Sequence, residues 1–319
     1  CKQRGISYVT GRGVFVDSNT IKTSEGHSIR FDHCIIATGS RPVVPSQFSV
    51  SKAVIMDSTE ALKLTSIPKK LLIVGGGYIG LEMGTVYSGL GSSVTLVEIK
   101  DGLLPDVDRD LVRPLQNKLS SEFESIYLDT AVVSIRELGG SGYVTMASSK
   151  ESKEEKFDRV LMSVGRRPNT DKIRLENTKV QLDSNGFVKV DFKGQTSDPA
   201  ILAIGDISGE PMLAHKASYE ARIAIDGLKG KKMTSSNTVI PAVVFTDPEI
   251  AWCGLTESEA KMKNLDFQVA KFPWRASGRA HTLGRTEGFT KLILQPDSKR
   301  VLGVGIVGYG AGELIAEGV

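Results

Sequence analysis

The chain has 319 residues, 40% of them hydrophobic and 33 of them glycine, which is enough for two or three domains with sizeable interiors. Forty Lys and Arg residues against 37 Asp and Glu leave a net charge of +3, and no stripe of basic residues with interleaved aromatics occurs, which argues against nucleic acid as a partner. No run approaches the roughly 18 consecutive apolar residues of a membrane helix and the first five residues (CKQRG) open no secretory apolar region, so a soluble, cytosolic protein is expected.

The first predicted elements are a polar hairpin over residues 20–28 (TIKTSEGHS) and a strand ending in a glycine turn over 31–42 (FDHCIIATGSRP). Residues 71–74 (LLIV) read as a short buried strand, 75–80 (GGGYIG) as a GxGxxG turn, and the apolar positions Ile79, Met83, Val86, Tyr87 and Leu90 as one face of the helix that follows. Gly91 closes that helix, residues 94–97 (VTLV) form the next strand, and Glu98 ends it. A further helix begins near Asp110, where Pro114 is expected to interrupt it.

A hairpin over 143–156 comes next, with the mixed-charge run 150–156 (KESKEEK) as its solvated tip. It leads into 157–168 (FDRVLMSVGRRP), which echoes 31–42 at a spacing of 126 residues and implies two similar domains. The stretch beyond Pro168 is loop-rich, with a strand expected over 186–190, then an apolar strand over 201–204 that runs into Asp206, and a helix from about Ala214 to Leu228. From about Thr238 the pattern becomes that of a separate α+β domain.

A lone GxGxxG is a weak signal. Here it follows a strand, opens a helix, and has Glu98 at the end of the next strand, which is the arrangement of a dinucleotide site. The first glycine permits the tight turn, the second lets the backbone approach a pyrophosphate, and the third lets helix and strand pack closely. The helix N-terminus supplies free N–H donors, and Glu98 is suited to accept from the ribose hydroxyls and to repel a 2′-phosphate, favouring NAD over NADP. The turns at Thr38, Gly39 and Ser40 and at Gly165 are structural turns or cofactor-lining ones; their duplication beside a GxGxxG favours the second. Asp206 needs a hydrogen-bond partner, either a cofactor sugar hydroxyl or the role of helix N-cap. Cys34 and Cys253 read as inert core, and His27, His33 and His281 as structural; no metal site is expected.

The combination of IIATGSRP at Ile35, IVGGGYIGLEMG at Ile73, VTLVE at Val94, MSVGRRPNT at Met162, AIGDISGEPMLAHKA at Ala203, IPAVVFTDPEIAWCGLTE at Ile240 and GVGIVGYGAGELI at Gly303 resembles the dihydrolipoamide dehydrogenases, NAD-dependent flavoprotein disulfide oxidoreductases, along essentially the whole chain. The resemblance implies an α/β fold with two dinucleotide-binding domains of Rossmann type and an α+β dimerisation domain. Residues 1–44 would be the end of the FAD domain, 45–168 the NAD domain, 169–237 the central domain and 238–319 the interface domain of a homodimer. It implies FAD beside Gly13, Thr38, Gly39, Ser40, Asp206, Met212, Leu213, Ala214 and His215. It implies NAD beside Gly75, Gly76, Gly77, Tyr78, Ile79, Gly80, Glu82, Glu98, Val132 and Gly165, with Tyr78 and Glu82 between nicotinamide and flavin. The implied activity oxidises lipoyl groups on the acyltransferase subunits of 2-oxoacid dehydrogenase complexes, in the cytoplasm or a mitochondrial matrix.

The family's first GxGxxG and its CxxxxC redox pair are expected before Cys1, and its His–Glu base after Val319, so no catalytic residue is expected in this chain. On this ground it should lack bound FAD and should not turn over dihydrolipoamide. The alternatives are a related flavin reductase such as a soluble transhydrogenase, and a non-catalytic nucleotide-binding fragment.

Overall fold

The computed structural model describes residues 2–48, 51, 53–231 and 239–319. Its contacts divide the chain into two compact units, Cys1–Arg41 with Arg166–Thr238 and Pro42–Gly165 with Val239–Val319.

In the larger unit a five-stranded parallel sheet runs in the order Ile55–Met56, Arg159–Met162, Lys70–Val74, Ser93–Val97, Ser125–Tyr127. Successive side chains of a strand point to opposite faces, so Leu71 and Ile73 enter one core and Leu72 and Val74 another. The first core holds Leu81 and Tyr87 of the helix Tyr78–Gly89 with Leu115 and Leu119 of the helix Arg109–Glu122. The second is closed by Ile135, Val144, Met146 and Phe157 of an antiparallel meander, Ala131–Leu138, Ser141–Ala147 and Ser152–Phe157. Leu71, Leu72 and Ile73 are completely buried, a gain of about 2 kcal/mol apiece, and both faces being covered is why this strand is apolar without alternation.

The helix after the glycine turn buries the face its hydrophobicity suggests only in part: Tyr87 is buried and Met83 packs on the core. Val86 and Leu90 are each 43% exposed, whereas Gly80, Leu81, Gly84 and Tyr87 face inward. Gly84 is a contact residue because a Cβ there would lie 2.6 Å from Phe123 and 3.0 Å from Ile73, so closeness of approach outranks apolar side-chain area.

Pro114 does not interrupt its helix, which runs unbroken through Arg109–Glu122. Leu111, Val112, Leu115 and Leu119 are buried around the proline, and this packing offsets the one missing backbone donor.

The 239–319 segment forms an antiparallel sheet in the order Ala242–Val244, Glu249–Gly254, Val301–Gly308, Phe289–Leu294, Gln268–Pro273, with short helices Glu257–Met262 and Gly278–Leu283. Val244, Ile250 and Val307 complete the core that contains Leu111 and Leu115, and Gly305 lets Leu111 approach to where a Cβ would be 2.6 Å away. Within this unit Lys291, only 1% exposed, bonds to Asp108 at 2.6 Å, Asp110 at 2.8 Å and Glu257 at 3.1 Å. Its burial opposes the charged form, and the three carboxylates more than offset that, so its pKa is raised.

In the smaller unit Cys34–Ile36 pairs in parallel with Ile201–Ala203. One face packs on Phe15, Leu175, Val188 and Ile207; the other packs on Ala221 and Ala224 of the helix Ala214–Leu228. The 20–28 hairpin forms as expected, within the sheet Gly13–Asp17, Thr20–Thr23, Ser28–Arg30. The strand expected over 186–190 is reduced to one bridge, Leu182 to Val188, because the Val188 amide bonds instead to the Ile207 carbonyl at 2.9 Å. Among the described residues no helix is long and apolar enough to cross a membrane.

Candidate functional site

The larger unit builds its glycine turn by excluding side chains. Gly75 has φ +109°, and a Cβ there would lie 2.5 Å from the Ser163 carbonyl; a Cβ on Gly80 would lie 2.1 Å from the Gly75 carbonyl. Ser163 ties the turn down, its Oγ donating to the carbonyls of Val74 at 2.9 Å and Gly75 at 3.1 Å. Gly77 differs: nothing lies within 4 Å of its Cβ position, and it stands as N-cap of the Tyr78–Gly89 helix without a side-chain cap. The Cβ side of Gly77 is open, and the first helical N–H groups offer donors and partial positive charge to an anion there.

Glu98 is buried at the mouth of this turn. Its Oε2 accepts the Gly76 N–H at 2.6 Å and its Oε1 the Lys100 N–H at 2.8 Å, so the carboxylate is oriented by two backbone donors. Ile99 beside it is 70% exposed and carries no charge to receive a 2′-phosphate. Val132 is half-buried against the second core, and the exposed Gly165 lies in the turn between the strands Arg159–Met162 and Arg166–Pro168. Tyr78 and Ile79 open the helix, Tyr78 being 38% exposed. Glu82 on the same helix accepts the Phe245 N–H at 2.9 Å; burial raises its pKa and that amide partly opposes the rise.

The smaller unit gathers a second set. Ser40 Oγ donates to Asp206 Oδ2 at 2.5 Å, so the partner that Asp206 requires is a protein hydroxyl. Asp206 lies inside the turn Gly205–Ser208, whose N-cap is Ile204, so it is not the N-cap. Thr38 and Asn169 exchange two bonds: Thr38 Oγ donates to the Asn169 carbonyl at 3.1 Å and Asn169 Nδ2 to the Thr38 carbonyl at 2.8 Å. Met212 and Leu213 are half-buried just before the helix, while Ala214 and His215 are exposed on its first turn, which has no side-chain cap. Gly13 begins the Gly13–Asp17 strand, in a different sheet from Cys34–Ile36 and Ser40–Pro42.

Signals not read from the sequence are Ser163, Arg166 and Lys216. Arg166 donates to Ser40, and Lys216, 8% exposed, pairs with Glu220 at 2.8 Å under the Gly205–Ser208 turn. The i, i+4 spacing of Lys216 and Glu220 was available as a clue.

Of the cysteines among the described residues, Cys34 is half-buried against one core and Cys253 is buried in another. Burial pushes the Cys34 thiol up to about 11, and Cys253, raised by burial as well, points its sulfur at the Gly318 carbonyl 3.3 Å away. His281 Nε2 lies 2.7 Å from the Arg275 carbonyl. Asp108, Asp110 and Glu257 approach closely enough for a metal, but the ammonium of Lys291 occupies their centre.

Comparison with known proteins gives the family. The model of the pyridine nucleotide-disulphide oxidoreductases matches residues 1–221, and that of the family's dimerisation domain matches residues 240–319. The chain belongs to the pyridine nucleotide-disulphide oxidoreductase family. As in other members of the family, the cofactors are FAD and NAD. Relatives include a dihydrolipoyl dehydrogenase of Haemophilus influenzae, 43% identical over 99% of this chain and 67% of its own length. Another, from Geobacillus stearothermophilus, is 39% identical over 99% and 68%. LpdA from Mycobacterium tuberculosis superposes with a TM-score of 0.90 at 27% identity, covering 99% of this chain and 71% of that one. RclA of Escherichia coli, an HOCl-induced flavoprotein disulfide reductase, gives 0.87 at 28% identity over 98% and 72%. The chain thus spans about two thirds of the length of the curated relatives.

Proposed function

We propose that this chain carries the nucleotide-handling part of a dihydrolipoyl dehydrogenase: an NAD site at Gly75–Gly80, Glu82, Glu98, Val132 and Gly165, and part of an FAD site at Gly13, Thr38–Ser40, Asp206 and Met212–His215. The observation that carries this reading is Glu98, buried and aimed by the Gly76 and Lys100 amides at the mouth of an uncapped glycine turn. FAD and NAD, when bound, would supply the electron and hydride chemistry that links a dithiol to a nicotinamide. This chain's residues have narrower tasks. Gly77 leaves room for phosphates, the first turn of Tyr78–Gly89 offers N–H donors, Glu98 accepts from the adenosine ribose, and Asp206 accepts from the sugar-like chain of the flavin.

The four-region organisation with boundaries near residues 44, 168 and 237 belongs to the same proposal, as do assembly with lipoyl-bearing acyltransferase subunits and a place in the cytoplasm or mitochondrial matrix. The dimerisation domain at 240–319 supports a homodimer. The test is NADH formation from dihydrolipoamide with FAD and NAD⁺ supplied. Hydride exchange between NADH and NADP⁺ without any dithiol oxidation would instead favour a transhydrogenase.

A further inference from the structure

Asp206 is held from two directions. The helix Ala214–Leu228 grips its backbone turn: Glu220 Oε2 accepts the Gly205 N–H at 2.7 Å, and Lys216 Nζ donates to the carbonyls of Gly205 at 3.3 Å and Gly209 at 3.2 Å. With its main chain fixed, only the carboxylate is left to orient. That falls to Ser40, whose Oγ donates to Oδ2 at 2.5 Å. Ser40 is fixed in turn by Arg166, whose Nε donates to the Ser40 Oγ at 2.7 Å and whose Nη2 donates to the Ser40 carbonyl at 3.0 Å. Among the described residues no protein donor bonds to the other oxygen of Asp206.

We infer that Arg166 is a positioning residue for Asp206 and acts through the Ser40 hydroxyl, leaving one carboxylate oxygen presented to a cofactor hydroxyl. A serine hydroxyl has a single proton and rotates to whichever acceptor is nearest. A guanidinium donating into the oxygen's lone pairs directs that proton to the carboxylate, and the second guanidinium bond locks the Ser40 peptide. The three groups form a polarised chain, cation to hydroxyl to carboxylate, in which each bond strengthens the next. The inference rests on Asp206 being a flavin contact.

The experiment compares Arg166→Met, Arg166→Lys, Ser40→Ala and the Arg166→Met/Ser40→Ala double variant by quenching of flavin fluorescence on titration with FAD. Each of Arg166→Met and Ser40→Ala should weaken FAD binding about tenfold, as loss of a charge-assisted bond does. The double variant should be no weaker than the worse single one, Arg166→Lys should recover part of the loss, and NADH affinity should be unchanged. A merely structural role for Arg166 predicts additive losses and a fall in NADH affinity; either result, or unaltered FAD affinity in Arg166→Met, overturns the inference. Should the unsubstituted chain bind no FAD, as its sequence leads one to expect, the titration reads nothing on Arg166. The positioning claim is then decided in the cofactor-free protein by carbon-13 NMR of the Asp206 carboxyl. Its resonance should move in Arg166→Met in the same sense as in Ser40→Ala, and a resonance that stays in place in Arg166→Met refutes the claim.

Discussion

Glu98 Oε2 accepts the Gly76 N–H at 2.6 Å, so the acid that would select the ribose is fastened to the turn that would hold the phosphates. Nucleotide preference and loop geometry are therefore coupled. Glu98→Ala removes the ribose acceptor and the anchor together. NADH should bind more tightly than NADPH to the unsubstituted chain, and the substitution should cut that preference about tenfold or more. Calorimetric titrations with both nucleotides check this; equal affinities before substitution would refute the assignment of Glu98.

Two glycines of the same turn should respond differently to one added methyl group. At Gly77 the Cβ position is open and φ is −78°, so Gly77→Ala should change stability by no more than about 0.5 kcal/mol while weakening NADH binding about tenfold. At Gly80 the new Cβ would lie 2.1 Å from the Gly75 carbonyl, so Gly80→Ala should cost about 1–3 kcal/mol of stability as well as binding. Denaturant unfolding beside NADH titration separates the two effects.

Lys291→Met takes the shared cation from Asp108, Asp110 and Glu257, whose carboxylate oxygens lie within 4.8 Å of one another, with Asp110 keeping only Lys271, and should cost about 3–5 kcal/mol. In the unsubstituted protein the raised pKa of Lys291 contributes stability below its unfolded value of 10.5, lost as pH rises through the folded value. For Asp110, burial raises the pKa, but the bonds to Lys271 and Lys291 outweigh it and leave a net lowering. Its contribution is present above 3.8 and lost as pH falls through the folded value. The variant's deficit should therefore shrink as pH falls from about 7 through 3.8, where Asp110 loses the stabilisation that Lys291 gives it. Urea unfolding across that range is the measurement, and a pH-independent deficit would contradict the account.

With its thiol pushed up to about 11, Cys34 is ionised to roughly one part in a thousand at pH 8, so it should resist alkylation in the native protein and react on unfolding in urea. Peptide mass spectrometry after iodoacetamide treatment assigns the modified cysteine. Rapid native modification of Cys34 would show that it is a working thiol.

The strand, glycine turn, helix and terminal acid from Leu71 to Glu98 were legible because each is encoded within a few neighbouring residues. The buried face of the Tyr78–Gly89 helix was legible only in part, since Gly80 and Gly84 bury by closeness and carry no hydrophobic signal. Lys291 reads as a surface residue in FTKLIL; its bond to Asp108 spans 183 positions of sequence, and no local pattern announces it. The same holds for Asp206, whose acceptor role was expected but whose partner, Ser40, lies 166 positions away.

Ser40 and Arg166 occupy the same place in the two copies of the internal echo, tenth in FDHCIIATGSRP and tenth in FDRVLMSVGRRP, and they touch each other. In an assembly of identical chains, a position that meets its own copy must carry the same residue on both sides. Two arginines there would repel, and two serines would offer no charge. Once both copies reside in one polypeptide that constraint disappears, and one position can become the donor while its counterpart becomes the acceptor. The bond between Arg166 and Ser40 is one that unlike residues at matching places of the two copies can make and that like residues there could not.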